Sequence, residues 1–367
     1  MQGKASRRDK PRHRRLIGVV LGVLMLGLVV GTAFAARSGS NSPKAKTTFT
    51  FVSFAKSLDN PAFAVAEKGA KVRIAEVKKA GITVKLKWLA PPNGDESAMV
   101  SMIDSAIATH PDGLLIDSLG PAVCTVVNDA VKAHIPVVMW DSDCPGSKRS
   151  AYVGSDNYKG GVEAAKLFKE AWNPKAGVPQ LAILITTPGA FNIGQRADGF
   201  IHGLKTIGMK YKLVVSPQGD DDIAKSVDAV ETTLQGNQTL NAFYFAQPLP
   251  LLAAGNQLPN LTSRVKSGKL TVVSFDTIEP ELKWVQNGSV YGLVGQRYYD
   301  WGYEGITVVL NIAKYGSKYP GFVDTGLDIV TKKGGAGRWT PAQFEQKWKT
   351  FSFSDKPIKP LKGQFVP

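Results

Sequence analysis

The chain has 367 residues, of which 43% are hydrophobic and 20% charged, a balance typical of a globular protein large enough for two domains. Its net charge is +15, and residues 36–367 alone keep a net charge of +9 that is scattered along the sequence. Because nucleic-acid-binding proteins concentrate their basic residues in a stripe, this distribution argues against a nucleic-acid partner.

The first 35 residues have the pattern of a membrane-targeting segment. A basic stretch, MQGKASRRDKPRHRR, precedes an apolar run from Leu16 to Ala35 that contains no charged side chain. The small residues Ala33 and Ala35 predict a secretory signal cleaved after Ala35. About 20 apolar residues also suffice for an uncleaved membrane anchor. Both interpretations place the rest of the chain in a periplasmic or other extracytoplasmic location, with residues 36–46 as a linker.

Alternating apolar runs and helix-like stretches follow the linker. Residues 48–143 predict three strand–helix units and a fourth strand, and from residue 151 the pattern restarts with strands at QLAILIT, KLVVSP, AFYFA and TVVSFD. This alternation predicts an α/β protein with two similar lobes, each a mostly parallel sheet covered by helices. Residues 335–367 form a separate C-terminal extension, which we expect to pack on the outside or to hang loose.

Signatures of catalysis and of cofactor binding are missing from the sequence. It contains no GxSxG, GxxxxGK[ST] or HExxH motif, and its four histidines are isolated. We therefore expect no enzyme activity, no cofactor and no metal, and we interpret the acidic run Gly219–Asp222 as a solvated loop. Cys124 and Cys144 are either joined in a disulfide, as an oxidising compartment allows, or buried as two free thiols.

Polar and aromatic residues recur directly after the predicted strands, where a cleft between two lobes would expose them. They occur in the segments LDNPAF, DSDCP, FNIGQRADGF, FDTIEPE and VGQRYYDWGYEG. Arg196, taken alone, could hold a phosphate, a carboxylate or a polyol, or could be a solvated charge. The mixture of carboxylates, amides, arginine and aromatic rings suits the hydroxyls and C–H faces of a sugar or polyol.

Several of these segments resemble one family in order and spacing. Asn60-Pro61 with Phe63, the strand-end Asp141, Arg196 with Gly199 and Phe200, Asp276, and Gln296 resemble motifs of periplasmic sugar-binding proteins of the ribose-binding-protein type. The resemblance covers roughly residues 47–333. It implies two Rossmann-like lobes of the type I periplasmic binding protein fold, joined by three crossings near Ser155, Gln296 and Asp324. The N-terminal lobe would comprise residues 47–155 plus 297–324, and the C-terminal lobe residues 156–296 plus 325–334.

The resemblance also implies a function and a set of ligand-binding residues. The protein would be a monomeric solute receptor that delivers a sugar or polyol to the membrane permease of an ABC importer, or that presents it to a membrane sensor or chemoreceptor. A sugar-responsive DNA-binding repressor of the same fold is excluded, because the apolar segment occupies the place of its DNA-binding headpiece. The expected ligand-binding residues are Asn60, Phe63, Asp141, Ser142, Arg196, Gln247, Asp276 and Gln296.

Three positions depart from the family pattern. Gln247-Pro248 stands where relatives often have Asn or Asp, Ala62 replaces one aromatic residue of the first turn, and Ser142 stands where a ribose binder can carry arginine. The expected ligand is therefore a sugar, a sugar alcohol or a similar polyhydroxylated compound. Structural roles remain open for some residues: Asn60 could be only a helix cap, Asp141 and Asp276 could cap turns, and Gln296 could tie the hinge.

Overall fold

The computed structural model describes residues 46–58, 60–91, 94–185, 189–350 and 359–366. The predicted targeting segment and all but the last residue of the predicted linker lie outside these residues. Among the described helices, none is both long enough and apolar enough to cross a bilayer.

The described strands are two to seven residues long. In chain order they are β1 (Thr48–Phe54), β2 (Thr83–Leu89), β3 (Gly113–Ile116), β4 (Val137–Trp140), β5 (Ala151–Gly154), β6 (Gln180–Leu184), β7 (Lys212–Val215), β8 (Ala242–Phe245), β9 (Thr271–Phe275), β10 (Gly292–Gln296), β11 (Phe322–Asp324), β12 (Leu327–Thr331) and β13 (Arg338–Trp339).

The helices alternate with these strands and use ordinary capping chemistry at several ends. They are α1 (Pro61–Lys79), α2 (Glu96–Ile107), α3 (Pro121–Lys132), α4 (Asn157–Ala171), α5 (Phe191–Thr206), α6 (Ile223–Gly236), α7 (Leu249–Leu252), α8 (Pro259–Lys266), α9 (Glu279–Gln286), α10 (Tyr298–Tyr315) and α11 (Pro341–Thr350). Aspartates accept a backbone hydrogen bond at the N-termini of α2, α4 and α6, which satisfies donors that the helix leaves unpaired.

The described strands form two sheets. One has the order β11-β5-β4-β3-β1-β2 and is entirely parallel; the other has the order β13-β12-β10-β9-β8-β6-β7, with β12 antiparallel to β10. Strands β3, β4 and β5 are buried along their whole length, because helices cover both faces of the sheet. The predicted fold class, two α/β lobes with mostly parallel sheets, is confirmed.

Each sheet has a helical layer on either side. In the first lobe, α1 and α10 share one core with the sheet, and α2 and α3 share another. In the second lobe, α4 and α5 cover one face, while α6, α8, α9 and α11 contribute to the core on the other. Both lobes are therefore closed three-layer units.

The chain passes between the lobes three times within the described residues. It leaves the first sheet after β5 and starts α4 at Asn157, returns after β10 to start α10 at Tyr298, and crosses again between β11 and β12. The third crossing is short because β11 and β12 are separated by two residues, Thr325 and Gly326.

The C-terminal extension is built into both lobes. Strand β13 pairs with β12, and Phe344 of α11 is completely buried in the core of the second lobe. Val366 is completely buried in the first lobe, where its carbonyl oxygen accepts a hydrogen bond from Arg73 at 2.9 Å. Part of the extension therefore inserts into the cores instead of packing outside them, because these few apolar residues fill gaps that no sequence period reveals.

A disulfide joins Cys124 in α3 to Cys144 in the loop after β4. Of the two alternatives that the sequence leaves open, the structure therefore shows the bridge and not two free thiols. Since Asp141 begins the same loop, the bridge ties that loop to the helix beside it.

A charged cluster lies beside the second and third crossings. The Asp328 carboxylate accepts hydrogen bonds from Lys347 Nζ at 2.8 Å and from Arg297 Nε at 3.2 Å. Asp300, in the first turn of α10, is 2% exposed, and its Oδ1 atom has no hydrogen-bond partner among the described residues. Burial raises the pKa of Asp300 from 3.8 to about 7, although Arg297 and Lys347 oppose the shift.

Candidate functional site

The carboxyl ends of the two sheets face one another across a cleft that contains a narrow cavity of about 10 Å³. Both lobes line it, through Lys56, Asn60, Ala62, Phe63, Asp141, Asn192, Ile193, Arg196, Gln247, Asp276, Gln296, Tyr298 and Trp301. This space is barely enough for one water molecule, so a ligand enters only when the lobes or the lining side chains move apart.

Seven of the eight sequence-predicted site residues line this cavity, and Ser142 does not. The backbone N–H of Ser142 donates to Asp117 Oδ1 at 3.2 Å, and its hydroxyl is buried without a hydrogen-bond partner among the described residues. Ser142 therefore lies behind the wall of the cavity, where it supports the turn that carries Asp141.

The start of α1 supplies Asn60 and Phe63. Asn60 caps the helix, because its Oδ1 atom accepts a hydrogen bond from Ala62 N at 3.0 Å, while its side chain also lines the cavity. Phe63 is 4% exposed and meets the Trp140 ring edge to face, with the ring centres 5.7 Å apart. The capping role and the site role of Asn60 therefore coexist.

Asp141 and Asp276 occupy equivalent positions in the two lobes. Asp141 follows β4 and its N–H donates to the carbonyl oxygen of Val153; Asp276 follows β9 and its N–H donates to that of Val294. Both have left-handed backbones, with φ of 53° and 76°. This region is unfavourable for most residues but is tolerated by aspartate. The sharp turn after each strand directs both carboxylates into the cleft.

Arg196 lies between these two carboxylates and is 1% exposed. Its Nη1 atom is 3.5 Å from Asp276 Oδ2, and its Nη2 atom is 3.7 Å from Asp141 Oδ1. The guanidinium also stacks over the Phe275 ring, 4.1 Å from the ring centre. A buried cation held between two anions is the electrostatic centre of the cavity.

The bonds of Arg196 divide its donors into two groups. Nε donates to Asn157 Oδ1 at 2.8 Å, and Nη1 donates to the carbonyl oxygen of Ala246 at 3.1 Å. The Nη2 hydrogens form no hydrogen bond with other described residues, and this end of the fork is nearest to Asp141. The protein thus fixes one side of the guanidinium and leaves the other available.

Lys56 and Asn192 are site residues that the sequence analysis missed. Lys56 Nζ lies 2.7 Å from Asp141 Oδ2 and 3.1 Å from Asp117 Oδ1. Burial lowers the pKa of Lys56, but the neighbouring Asp117 and Asp141 outweigh it and raise the pKa above its usual value. Asn192 Nδ2 donates to both oxygens of Asp141 at 3.2 Å, a contact that joins the two lobes.

Asp276 is held by two donors from the second crossing. Gln296 Nε2 donates to Asp276 Oδ1 at 2.7 Å, and the Tyr298 hydroxyl donates to the same oxygen at 2.9 Å. Burial raises the pKa of Asp276, while Arg196 and these donors favour the charged form. Gln296 consequently serves the hinge and the cavity together.

Gln247 reaches the cavity from the loop after β8. Its Nε2 atom donates to Asp221 Oδ1 at 2.7 Å, and Asp221 is 7% exposed. The interpretation of the whole acidic run as a solvated loop is therefore wrong for Asp221, because the loop before α6 turns this carboxylate inward. Burial raises the pKa of Asp221 despite the nearby Lys56.

Aromatic rings form an apolar wall on the side of the first lobe. Tyr298 and Trp301 meet edge to face with ring centres 4.9 Å apart, and Trp301 packs against Trp140 at 6.0 Å. Tyr298 and Trp301 are three residues apart on α10, and Asn192 and Arg196 are four apart on α5. Such spacings share a helix face, so this signal could have added Trp301 and Asn192 to the predicted set.

Known proteins that are similar to this chain bind sugars or belong to one family of binding proteins. The family described as the periplasmic binding protein domain matches residues 51–318. The ribose import binding protein of Bacillus subtilis is 29% identical over 254 residues, which is 69% of this chain and 77% of that protein. The D-allose-binding periplasmic protein of Escherichia coli is 25% identical over 273 residues, covering 72% and 85% of the two chains.

Solved structures are similar over most of the chain. An ABC transporter solute-binding protein from Burkholderia graminis, in complex with D-arabinose, is 30% identical and superposes with a TM-score of 0.69 over 80% of this chain and 98% of that one. A glucose-galactose binding protein from Geobacillus stearothermophilus is 25% identical, with a TM-score of 0.70 over 78% and 99%. The chain belongs to the periplasmic binding protein family.

Proposed function

We propose that the protein is an extracytoplasmic receptor that captures a small sugar or sugar alcohol in the cavity between its lobes. The observation that carries this proposal is the composition of the cavity wall. Asp141, Asp276, Asn192 and Arg196 converge on one side as acceptors and donors, and aromatic rings face them. Hydroxyl groups need both donors and acceptors, while the C–H faces of a sugar ring pack on aromatic surfaces.

Similar proteins support this class of ligand, because ribose, allose and arabinose appear in the names or complexes of the relatives described above. Ser142 lies outside the wall and Lys56 supplies a cation inside it. The cations of this cavity are thus Lys56 and Arg196, one from each lobe.

Binding requires the lobes to separate and close again. Asn192 of the second lobe contacts Asp141 of the first, so the cavity is enclosed in the observed arrangement. We infer that the three crossings act as the hinge, as expected for domain closure around a ligand. The closed, loaded receptor would then deliver its ligand to the permease of an ABC importer as a monomer, without chemical turnover or a cofactor.

A screen of purified protein against pentoses, hexoses and polyols tests the proposal. A ligand at 100 times its Kd adds about 2.7 kcal/mol of stability, which thermal unfolding detects readily. Gln296→Ala should abolish the response, and Lys205→Gln, at an exposed position on α5, should leave it unchanged. NMR of the recovered ligand should show no altered product. If no polyhydroxylated compound stabilises the protein, the proposed ligand class is wrong.

Delivery to an importer needs a separate measurement. Uptake of the radiolabelled ligand by cells should fall when the gene is deleted and should return with the intact gene. If uptake is unchanged while a ligand-dependent transcriptional response is lost, the protein serves a membrane sensor and the transport role is excluded.

A further inference from the structure

Lysines surround the amino end of the first sheet, at the end of the first lobe opposite the cleft; Lys314 is half-buried and the others are exposed. Lys46 precedes β1, Lys78 and Lys79 form the last turn of α1, and Lys314 lies in the last turn of α10. We call this surface the basic face; it consists of Lys46, Lys78, Lys79, Lys314, Lys318, Lys359 and Lys362.

Hydrogen bonds to backbone carbonyl oxygens bring these separate segments together. Lys314 Nζ donates to the carbonyl oxygen of Lys46 at 3.3 Å. The N–H of Thr83 donates to the carbonyl oxygen of Thr47 at 2.7 Å, which holds the end of α1 and the start of β2 beside the start of β1. The N–H of Lys318 donates to the carbonyl oxygen of Lys362 at 2.7 Å. The basic face is therefore one continuous surface.

Among the residues that the structure describes, few carboxylates oppose this charge. Asp112 pairs with Lys46, and Glu76 is engaged by Arg73 at 3.1 Å and by the Tyr303 hydroxyl at 2.6 Å. The remaining ammonium groups of the basic face therefore leave a strong excess of positive charge.

An exposed leucine lies within this charge. Leu361 is 75% exposed, and its N–H donates to the carbonyl oxygen of Lys318 at 2.8 Å, which places the leucine between the lysines. Lysines around an exposed apolar side chain match the surface of an anionic bilayer. Ammonium groups pair with headgroup phosphates, and the apolar side chain enters the interface.

We propose that the basic face docks on an anionic lipid surface. The connection to the apolar run supports a lipid surface as the partner. Lys46 belongs to the basic face, and residues 36–45 join it to the apolar run at residues 16–35. Ten residues span at most about 36 Å. In a chain whose apolar run is held in a bilayer, the reach of residues 36–45 therefore allows this face to contact the lipid headgroups.

Charge alone would not select this end of the molecule. Exposed lysines also lie near the amino end of the second sheet, among them Lys205, Lys210, Lys266 and Lys269. Because the carboxyl ends of both sheets face the cleft, these lysines lie at the far end of the protein. The second set of lysines is not connected directly to the segment that leads to the apolar run. It therefore provides a control surface of similar charge.

The test places the full chain in nanodiscs of phosphatidylcholine alone or with added phosphatidylglycerol. Gln364→Cys, at an exposed position beside Leu361, carries an environment-sensitive dye while the disulfide stays oxidised. We expect a blue shift of the dye emission only in the anionic discs. The shift should disappear in 1 M salt, where the Debye length falls from about 8 Å to about 3 Å.

Charge-removing variants decide whether the basic face causes the shift. Each lysine near an anionic surface contributes roughly fivefold to binding, so Lys318→Gln with Lys359→Gln and Lys362→Gln should weaken docking about 100-fold and abolish the shift. The control triple, Lys205→Gln with Lys210→Gln and Lys266→Gln, should retain it. Circular dichroism and sugar binding verify that both triples are folded. Equal emission in the two kinds of disc, or equal loss in both triples, overturns the proposal.

Discussion

Arg196 offers the sharpest test of the cavity, because its donors are divided between the protein and the available space. Nε and Nη1 bind Asn157 and the carbonyl of Ala246, and Nη2 is left to donate to a ligand. A hydrogen bond to a charged group contributes about 1.5–3 kcal/mol. Replacing Arg196 with lysine should therefore weaken sugar binding by about ten- to a hundredfold, since each 1.4 kcal/mol is about tenfold in Kd.

Lysine retains the positive charge between the two aspartates but cannot reproduce the planar fork. Arg196→Ala should lower affinity as much or more, and it should also destabilise the fold. Breaking a buried ion pair typically costs about 3–5 kcal/mol, although Asp141 keeps Lys56 and Asp276 keeps Gln296 as partners. Thermal unfolding of both variants measures this second effect independently of binding.

Asn157→Ala is the matched control, because it removes the partner of Nε and leaves Nη2 in place. Asn157 does not line the cavity, so we expect its affinity loss to be several times smaller than that of Arg196→Lys. Titration calorimetry with the best ligand of the screen measures all three variants. If Arg196→Lys binds within about twofold of the unchanged protein, the guanidinium does not contact the ligand and the reasoning fails.

Three further predictions concern stability. Replacing Cys124 and Cys144 by serine should lower the free energy of unfolding by about 3 kcal/mol, the loop-entropy value for a closed loop of about 20 residues, and an unchanged denaturation midpoint would contradict it. Because ionising the buried Asp300 opposes folding, Asp300→Asn should stabilise the protein by on the order of 2–4 kcal/mol at pH 8, and this gain should vanish near pH 3, below the unfolded pKa of about 3.9. Urea titrations at both pH values check the sign; a gain independent of pH would exclude ionisation as its cause. Phe344→Ala should cost about 3–5 kcal/mol, as for other buried phenylalanines, whereas a loosely attached extension would show almost no change.

Much of the fold could be predicted from the sequence because buried parallel sheets produce local sequence patterns. Strands buried on both faces are short apolar runs, such as GLLI in β3, and the intervening helices repeat at regular intervals. The two lobes follow from such local evidence, whereas the predicted extracytoplasmic compartment allows a disulfide between Cys124 and Cys144 without deciding it. The antiparallel pairing of β12 with β10 produces no such local sequence pattern.

For the candidate site, the sequence by itself determined which side chains stand at the ends of strands. Polar residues such as Asp141 and Asp276 are conspicuous directly after apolar runs, and the carboxyl ends of parallel strands meet at one edge of a sheet. Seven of the eight predicted residues consequently line one cavity.

Only the tertiary structure decided which of these groups meet across the cleft and which are already engaged. Lys56 and Asp221 resemble surface charges in the sequence but are buried beside the cavity, while Ser142 lies behind its wall. Likewise, Phe344 and Val366 enter the cores of different lobes although no period marks them. The physical reason is that the burial and the pairing of a side chain depend on residues that are distant in the chain. A sequence pattern reflects only the environment that residues close in the chain share.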